Sequence, residues 1–219
     1  MNAARPLVKV CGIRTLEDLA AAEGADLIGV VIDVPDSPRT RSLSEARSLF
    51  ERAEGQFQRV AVVVGADTEK VRQVLKVAAP DLVQLHGPVP YGLSAGERRR
   101  LVPSLPVARP GQEGAAPPTF PDGADDFPFI HLDTAGGKLP GGTGQRSDWA
   151  VARHLVRAHP SRRFRLGGGL TPENVSAALA EVRPAGVDVS SGVEVRPGVK
   201  SRAKVERLLL AVRGSANPL

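Results

Sequence analysis

The feature that most constrains this chain is a strand-like apolar run followed by a helical segment, a unit repeated eight times from end to end. Eight such units in succession favour a closed parallel (β/α)₈ barrel, the TIM barrel of the α/β class. An open doubly wound sheet is the alternative, although it would rarely need eight units with two glycine-rich loops at its end. The strands are predicted at residues 7–11, 27–33, 59–65, 82–86, 105–109, 129–133, 163–167 and 186–190.

Polar capping residues predict where the helices begin. The expected caps are Thr15 in a capping box with Asp18, Ser42 or Ser44, Asp67, Ser94 with Glu97, Ser147, Thr171 ahead of Pro172, and Ser201. The fifth strand is the weakest, because a proline interrupts it. Residues 110–127 contain glycines, prolines and acids without periodicity, so the fifth helix is expected to be shortened or replaced by a loop.

The length and composition suit one well-buried barrel domain spanning residues 1–219, since 42% of the residues are hydrophobic. No apolar run approaches the ~18 residues that a membrane span needs, and residues 1–6 lack an apolar signal core. A single cysteine excludes an intramolecular disulfide and fits a reducing compartment. We therefore expect a cytoplasmic protein with no membrane partner.

The net charge of +5 and the pI of about 9.9 raise nucleic acid as a partner. Aromatic residues make up only 4% of the chain, however, which argues against a platform on which bases could stack. A modest positive field also suits a small anionic substrate, which it would steer toward the site. We expect the small anionic ligand and no nucleic acid.

Two glycine-rich segments near the end of the chain indicate a phosphate site. Leu166-Gly167-Gly168-Gly169-Leu170-Thr171-Pro172-Glu173-Asn174 and Val187-Asp188-Val189-Ser190-Ser191-Gly192-Val193-Glu194 each contain a short apolar run that breaks into small residues. Glycines let the backbone approach a ligand, and a helix N-terminus offers free N–H groups to an anion. Either loop alone could simply turn the chain, but the last two βα loops are the usual phosphate site of this barrel.

Four residues at strand ends, Cys11, His86, Asp133 and Ser190, are predicted to ring the C-terminal mouth of the barrel, where the active sites of such barrels lie. Cys11 could instead be a small buried hydrophobe, and His86 and Asp133 could be hydrogen-bonded loop residues. The sequence contains no His, Cys, Asp and Glu cluster with metal-ligand spacing and no evident Ser/His/Asp order. We therefore expect neither a metal site nor a hydrolase triad.

Lys9 and Asp188 are expected to form a buried ion pair. They lie on the first and last strands, which are neighbours in a closed barrel, and period-two alternation points both inward. Such a pair would satisfy both buried charges. It could be purely structural, or Lys9 could also lower the pKa of the Cys11 thiol one layer above.

Seven motifs in the same order resemble those of the phosphoribosylanthranilate isomerase family. They are Lys9-Val10-Cys11-Gly12, Ser37-Pro38-Arg39, Val83-Gln84-Leu85-His86-Gly87, Leu132-Asp133 with Pro140-Gly141-Gly142-Thr143-Gly144, Gly168-Gly169-Leu170-Thr171-Pro172-Glu173-Asn174-Val175, Val187-Asp188-Val189-Ser190-Ser191-Gly192-Val193-Glu194 and Pro197-Gly198-Val199-Lys200. Each motif is weak by itself, whereas seven in register make a strong resemblance.

The resemblance implies a (β/α)₈ barrel of tryptophan biosynthesis that isomerises N-(5-phosphoribosyl)anthranilate by an acid/base Amadori rearrangement. It implies no cofactor, and it implies that Cys11 is the general base, Asp133 the general acid and Arg39 the residue that holds the anthranilate carboxylate. Further substrate contacts are expected at Gln84, His86, Gly142 and Thr143, and phosphate contacts at Gly168, Gly169, Ser190 and Ser191. We expect a monomer or a weak homodimer.

Three other functions remain open from the sequence, and nucleic-acid binding, raised by the positive charge, is the third of them. The sister isomerase of histidine biosynthesis, or a relative with both specificities, would resemble this chain, but that group has an aspartate where this chain has Cys11. A barrel could also keep the phosphate loops and lose the chemistry. The presence of both Cys11 and Asp133 argues against that second reading.

Overall fold

The structure is a computed structural model that describes residues 5–109, 119–121, 123–135 and 147–215. In this part of the chain, eight parallel strands form a barrel: β1 (Leu7–Cys11), β2 (Leu27–Ile32), β3 (Gln58–Val64), β4 (Leu82–His86), β5 (Leu101–Val107), β6 (Ile130–Thr134), β7 (Phe164–Leu166) and β8 (Gly186–Val189). The predicted TIM barrel is confirmed.

The barrel closes at β1, which pairs in parallel with both β2 and β8. On the β2 side Cys11 lies opposite Gly29, and on the β8 side Lys9 lies opposite Asp188. The other strands follow in chain order around the barrel. An open sheet would leave two unpaired edges, so the doubly wound alternative is wrong.

Seven α-helices surround the barrel within the described residues: α1 (Leu16–Ala21), α2 (Leu43–Ala53), α3 (Thr68–Val77), α4 (Ala95–Arg98), α5 (Trp149–Ala158), α6 (Val175–Val182) and α7 (Arg202–Ser215). Ser42, Asp67 and Ser94 cap α2, α3 and α4 as predicted, because each side-chain oxygen accepts the N–H of the residue three positions on. None of these helices is long and apolar enough to cross a membrane.

The capping box predicted at the start of α1 is only half formed. Thr15 Oγ1 accepts the N–H of Asp18, as expected. The Asp18 carboxylate, however, accepts from the backbone N–H groups of Arg14 at 3.0 Å and Lys200 at 2.7 Å. It therefore joins the start of α1 to the segment before α7 and leaves the reciprocal bond of the box unmade.

The cap predicted for α5 is wrong by one residue. Asp148 is the N-cap, and its carboxylate accepts the N–H groups of Ala150 at 2.9 Å and Val151 at 3.4 Å. Ser147 is buried, and its hydroxyl donates to the carbonyl of Gly167 at 3.3 Å. The hydroxyl therefore joins the start of α5 to the loop after β7.

The start predicted for α6 is also wrong, because the helix begins at Val175 and not directly after Thr171. The Asn174 side chain accepts the Thr171 N–H at 2.8 Å and donates to the Gly169 carbonyl at 2.9 Å. These bonds hold residues 171–174 as a turn. The loop glycines, and not the first turn of a helix, therefore face the site.

The fifth strand begins earlier than the predicted range 105–109. Leu101 and Val102 are fully buried, which outweighs the two prolines in β5. Of the predicted loop at 110–127, residues 110–118 and 122 lie outside the described residues. The described remainder contains a single turn of 3₁₀ helix, Ala124–Asp126, and no α-helix.

The hydrophobic core has two layers that follow the predicted alternation. Val8 and Val10 of β1 face the large layer between the strands and the helices. Cys11 packs instead against a smaller cluster inside the barrel, and Lys9 is fully buried there. The bottom of the barrel interior is therefore apolar, and the polar residues lie at its C-terminal end.

Candidate active site

A cavity at the C-terminal end of the strands collects the residues that the sequence predicts for the site. The predicted residues that line it are Cys11, Arg39, Gln84, His86, Asp133, Gly168, Gly169, Ser190 and Ser191. The remaining two, Gly142 and Thr143, lie outside the described residues. The proposed base, the proposed acid and both glycine loops therefore meet around one space.

A second cavity, of about 920 Å³, adjoins the first on the side of β3, β4 and β5. Val64, His86 and Asp133 line both cavities. The imidazole of His86 and the carboxylate of Asp133 therefore stand at the boundary between the two, where a ligand can reach them from either side.

Lys9 is the centre of a buried hydrogen-bond network under the site. Its ammonium group donates to Asp188 Oδ2 at 2.7 Å and to Gln84 Oε1 at 2.9 Å. Gln84 Nε2 in turn lies 3.1 Å from His86 Nε2. The expected Lys9–Asp188 pair is confirmed. Burial alone would raise the pKa of Asp188, but the neighbouring positive charges, with Lys9 foremost, lower it below its usual value.

Cys11 lies beside this network because residue 29 on the neighbouring strand is glycine. A Cβ at Gly29 would lie 2.9 Å from Cys11 Sγ and 3.1 Å from Lys9 Nζ, so the missing side chain makes room for both. Burial raises the pKa of the Cys11 thiol above its usual value, and the Lys9 charge opposes this. Lys9 lowers the pKa of Cys11, as hypothesised. Burial raises the pKa by more, so it remains above its usual value.

Asp133 is held at the end of β6 by its own neighbour, since the Thr134 N–H donates to Asp133 Oδ1 at 2.8 Å. The residue is 8% exposed. Burial raises its pKa to about 6, and the negative charge of Asp188 acts in the same direction. A carboxyl group with this pKa keeps a useful protonated fraction near neutral pH.

The two glycine loops contact each other and leave backbone donors unused. Gly168 and Gly169 have φ angles of +85° and +62°, which favour glycine. Within the described residues, the N–H groups of Gly168, Gly169 and Ser191 donate to no acceptor. Gly192 packs directly on the carbonyl of Leu170, where a Cβ would collide. The loops therefore form one concave surface with free N–H groups, which suits a phosphate.

Arg39 makes a bidentate ion pair with Glu194, with distances of 2.8 Å from Nε to Oε1 and 2.7 Å from Nη2 to Oε2. Lys200 Nζ also donates to Glu194 Oε1 at 2.7 Å and lies 3.4 Å from Ser190 Oγ. Burial would raise the pKa of Glu194, but its bonds to the two cations lower it. The triad has two positive charges against one negative charge, and it joins the loop after β2 to the loop after β8.

Several buried charged residues of this region were not predicted from the sequence. Glu194 and Lys200 face each other in a hairpin, Glu194–Arg196 with Val199–Lys200, which the Pro-Gly turn between them could have indicated. Alternation along β7 could have pointed Arg165 into the barrel. Its guanidinium lies 4.7 Å from the Phe129 ring centroid and has no hydrogen-bond partner among the described residues. Alternation along β6 places His131 on the same face as Asp133, and His131 Nε2 lies 3.6 Å from Asp188 Oδ2.

Comparison with known proteins gives a consistent answer. The family described as N-(5'phosphoribosyl)anthranilate (PRA) isomerase matches residues 8–211 of this chain. The N-(5'-phosphoribosyl)anthranilate isomerase of Pseudomonas putida (strain GB-1) is 40% identical over 94% of this chain and 96% of its own length.

Solved structures agree with these sequence relatives. Phosphoribosyl anthranilate isomerase from Thermotoga maritima has a TM-score of 0.75 at 32% identity, covering 95% of this chain and 99% of that chain. A phosphoribosyl anthranilate isomerase in complex with reduced 1-(o-carboxyphenylamino)-1-deoxyribulose 5-phosphate has a TM-score of 0.69 at 29% identity, with the same coverage.

Proposed function

The chain belongs to the N-(5'-phosphoribosyl)anthranilate isomerase family and is an isomerase of tryptophan biosynthesis, and we propose that Cys11 is its general base and Asp133 its general acid. The reaction converts N-(5-phosphoribosyl)anthranilate to 1-(2-carboxyphenylamino)-1-deoxyribulose 5-phosphate. The observation that carries the assignment is that Cys11 and Asp133 line one cavity together with both glycine loops.

The chemistry needs one acid and one base. Asp133 donates its proton to the furanose ring oxygen, whose bond to the first sugar carbon breaks and leaves an iminium. The iminium acidifies the C–H bond of the second carbon, and the Cys11 thiolate takes that proton. The resulting enolamine tautomerises to the aminoketose. Each proton transfer of this kind typically contributes about 10²–10⁴-fold to the rate.

The electrostatics of the two groups support these roles. The pKa of Asp133, raised by burial to about 6, keeps part of the population protonated at neutral pH. Burial also raises the pKa of the Cys11 thiol, so the thiolate is a minor form but a strong base for a C–H proton. The nearby charges of Lys9 and Lys200 favour that thiolate.

Substrate binding is assigned to both ends of the cavity. The free N–H groups of Gly168, Gly169 and Ser191, with Ser190 beside them, bind the phosphate. Nε and Nη2 of Arg39 donate to Glu194, whereas Nη1 has no partner among the described residues. This outer edge can still hold the substrate carboxylate.

Four further residues are assigned to substrate binding. Gln84 and His86 contact the sugar from the cavity wall, whereas contacts from Gly142 and Thr143 rest on the family resemblance alone. The protein is a monomer or a weak homodimer of the cytoplasm and binds no nucleic acid. Sedimentation and filter binding at physiological salt test the assembly and the absence of nucleic acid binding.

The decisive experiment follows the loss of substrate fluorescence for Cys11→Ala and Asp133→Asn. Each variant should fold and bind a product analogue, yet react at least about 10²-fold more slowly. Turnover near that of the wild type in either variant would remove that residue from the mechanism.

A further inference from the structure

The hydrogen bonds under the site determine which atom of Gln84 faces which neighbour. The Lys9 ammonium group can only donate, so the Gln84 atom 2.9 Å from it must be the amide oxygen. The amide nitrogen then faces His86. The chemistry of the donor therefore settles an orientation that an amide side chain leaves ambiguous by shape alone.

The same reasoning extends to the imidazole. Gln84 Nε2 is a donor only, and it lies 3.1 Å from His86 Nε2. His86 Nε2 must therefore accept, so the ring proton resides on Nδ1. A second proton on Nε2 would face the amide donor, and burial together with the Lys9 charge lowers the pKa of His86 to about 4. The ring is neutral at physiological pH.

The N–H at Nδ1 of His86 is positioned to donate a hydrogen bond into the site. Among the described residues His86 Nδ1 has no hydrogen-bond partner, and unlike Nδ1 of His131 it is not sealed from solvent. His86 lines both cavities next to Asp133. Its other ring neighbour, the edge of His131 with centroids 6.1 Å apart, makes a ring contact only.

We infer that Lys9, acting through Gln84, holds His86 as the neutral Nδ1–H tautomer, so that His86 donates a hydrogen bond to an oxygen of the bound phosphosugar and does not transfer protons. Lys9 is a positioning residue, Gln84 positions the ring in addition to its own contact with the sugar, and His86 orients the substrate. The substrate half of this inference rests on the proposed function, whereas the tautomer half does not.

The tautomer is tested on the ligand-free protein by long-range ¹H–¹⁵N correlation of ¹⁵N-labelled histidine. The chain has only four histidines, so single replacement of His131, His154 and His159 assigns the spectrum. At pH 7.5 the His86 signals should show a protonated Nδ1 and an unprotonated Nε2. A protonated Nε2 in the wild type would overturn the inference, whatever the activity.

Gln84 variants test the relay. In Gln84→Glu one carboxylate oxygen can accept from Lys9 and the other from His86 Nε2, so the proton should move to Nε2 or the ring should become doubly protonated. In Gln84→Met no donor and only a weakly accepting sulfur faces the ring, so Nε2 is no longer forced to accept and the two tautomers should mix. An unchanged His86 spectrum in a folded Gln84→Met protein would show that the relay does not select the tautomer.

Kinetics test the use of the proton. In His86→Asn the amide nitrogen lies where Nδ1 of the histidine lies. In His86→Gln the amide nitrogen lies where Nε2 of the histidine lies. His86→Asn should therefore lose less kcat/KM than His86→Ala and His86→Gln, which should lose about tenfold or more. Equal losses in all three would show that the substrate does not use the donor. Failure of the proposed function itself would appear elsewhere, as full activity in Cys11→Ala or Asp133→Asn.

Discussion

Lys9 and Asp188 face each other across the seam between the first and the last barrel strand, with 2.7 Å between Nζ and Oδ2 and neither group open to bulk solvent. A buried pair of this kind stabilises little by itself, because both charges lose their hydration. Breaking it is costly, since the remaining charge is left without a partner.

The first prediction concerns this pair. Lys9→Met should lower the free energy of unfolding by about 3–5 kcal/mol, because it leaves the Asp188 carboxylate buried and unpaired. The double variant Lys9→Met with Asp188→Leu should recover part of the loss. Urea denaturation measures both. A single variant as stable as the wild type would mean that Arg165 already balances the charge of Asp188 or that water hydrates the carboxylate.

The second prediction is the pH dependence of kcat/KM. The reactive form has Cys11 as thiolate and Asp133 protonated, although the pKa of Cys11 is the higher of the two. Between the two pKa values the fraction in this form is constant, because each rise in pH increases the thiolate fraction as much as it decreases the protonated fraction of Asp133. It falls below pH of about 6, where Asp133 cannot gain further protons while thiolate is still being lost. It also falls above the pKa of Cys11.

Alkylation checks this assignment directly, because the chain has a single cysteine. The rate of reaction with iodoacetamide in the free enzyme should keep rising beyond the ordinary thiol pKa of about 8.5. In Lys9→Met the midpoint should move higher still, since a nearby positive charge is lost. A midpoint well below 8 would contradict the assignment.

The third prediction is that Asp133 costs stability. Its folded pKa is raised from 3.8 to about 6, so the folded protein binds this proton more tightly than the unfolded chain. The contribution of Asp133 is therefore favourable at low pH and is lost as the pH rises through 6. Asp133→Asn should gain about 1–3 kcal/mol relative to the wild type above pH 7 and almost nothing near pH 4.

The measurement is the difference in the free energy of unfolding between the two proteins across this pH range. A difference that does not change with pH would mean that the carboxyl group is better solvated than its burial indicates.

The fourth prediction concerns the phosphate loops. Gly168→Ala should raise KM far more for phosphorylated ligands than for dephosphorylated analogues, because the new Cβ collides with the Thr134 side chain and displaces the loop. Gly55→Ala is the matched control, since Gly55 has a similar φ of +75° but open space around it. Equal losses for both kinds of ligand would indicate a structural role only.

The fifth prediction concerns Arg39. Arg39→Ala should weaken ligands that carry the anthranilate carboxylate by about 1.5–3 kcal/mol, the range for hydrogen bonds to charged groups. The fold should survive, because Lys200 still neutralises Glu194. Analogues that lack the carboxylate should bind almost as before. If they lose as much, Arg39 acts only by holding Glu194 and the loops.

Local signals predicted the fold well where one segment decides its own conformation. The alternation in β1 placed Lys9 inside the barrel, and Asp67 capped its helix as expected. Prediction failed where another group competes for a side chain. Ser147 donates to the Gly167 carbonyl 20 residues away instead of capping α5, and the bonds of Asn174 to Thr171 and Gly169 hold residues 171–174 as a turn.

The same limit applies to the site. The residues at the strand ends could be predicted, because parallel strands deliver them to one edge. The bond between Arg39 and Glu194 joins positions 155 residues apart, and no periodicity in either segment indicates it. The order Lys9, Gln84, His86 likewise depends on which atoms meet inside the closed barrel.

The pairing of β1 with β8 also determines when the molecule can be completed during synthesis. β1 is synthesised well before its second partner, because Lys9 and Asp188, which pair across the seam, are 179 residues apart. Until β8 follows, one edge of β1 is open, and Lys9 has no carboxylate in register. A nascent chain must therefore carry an unfinished barrel while the intervening residues are translated, with an exposed edge that can pair wrongly.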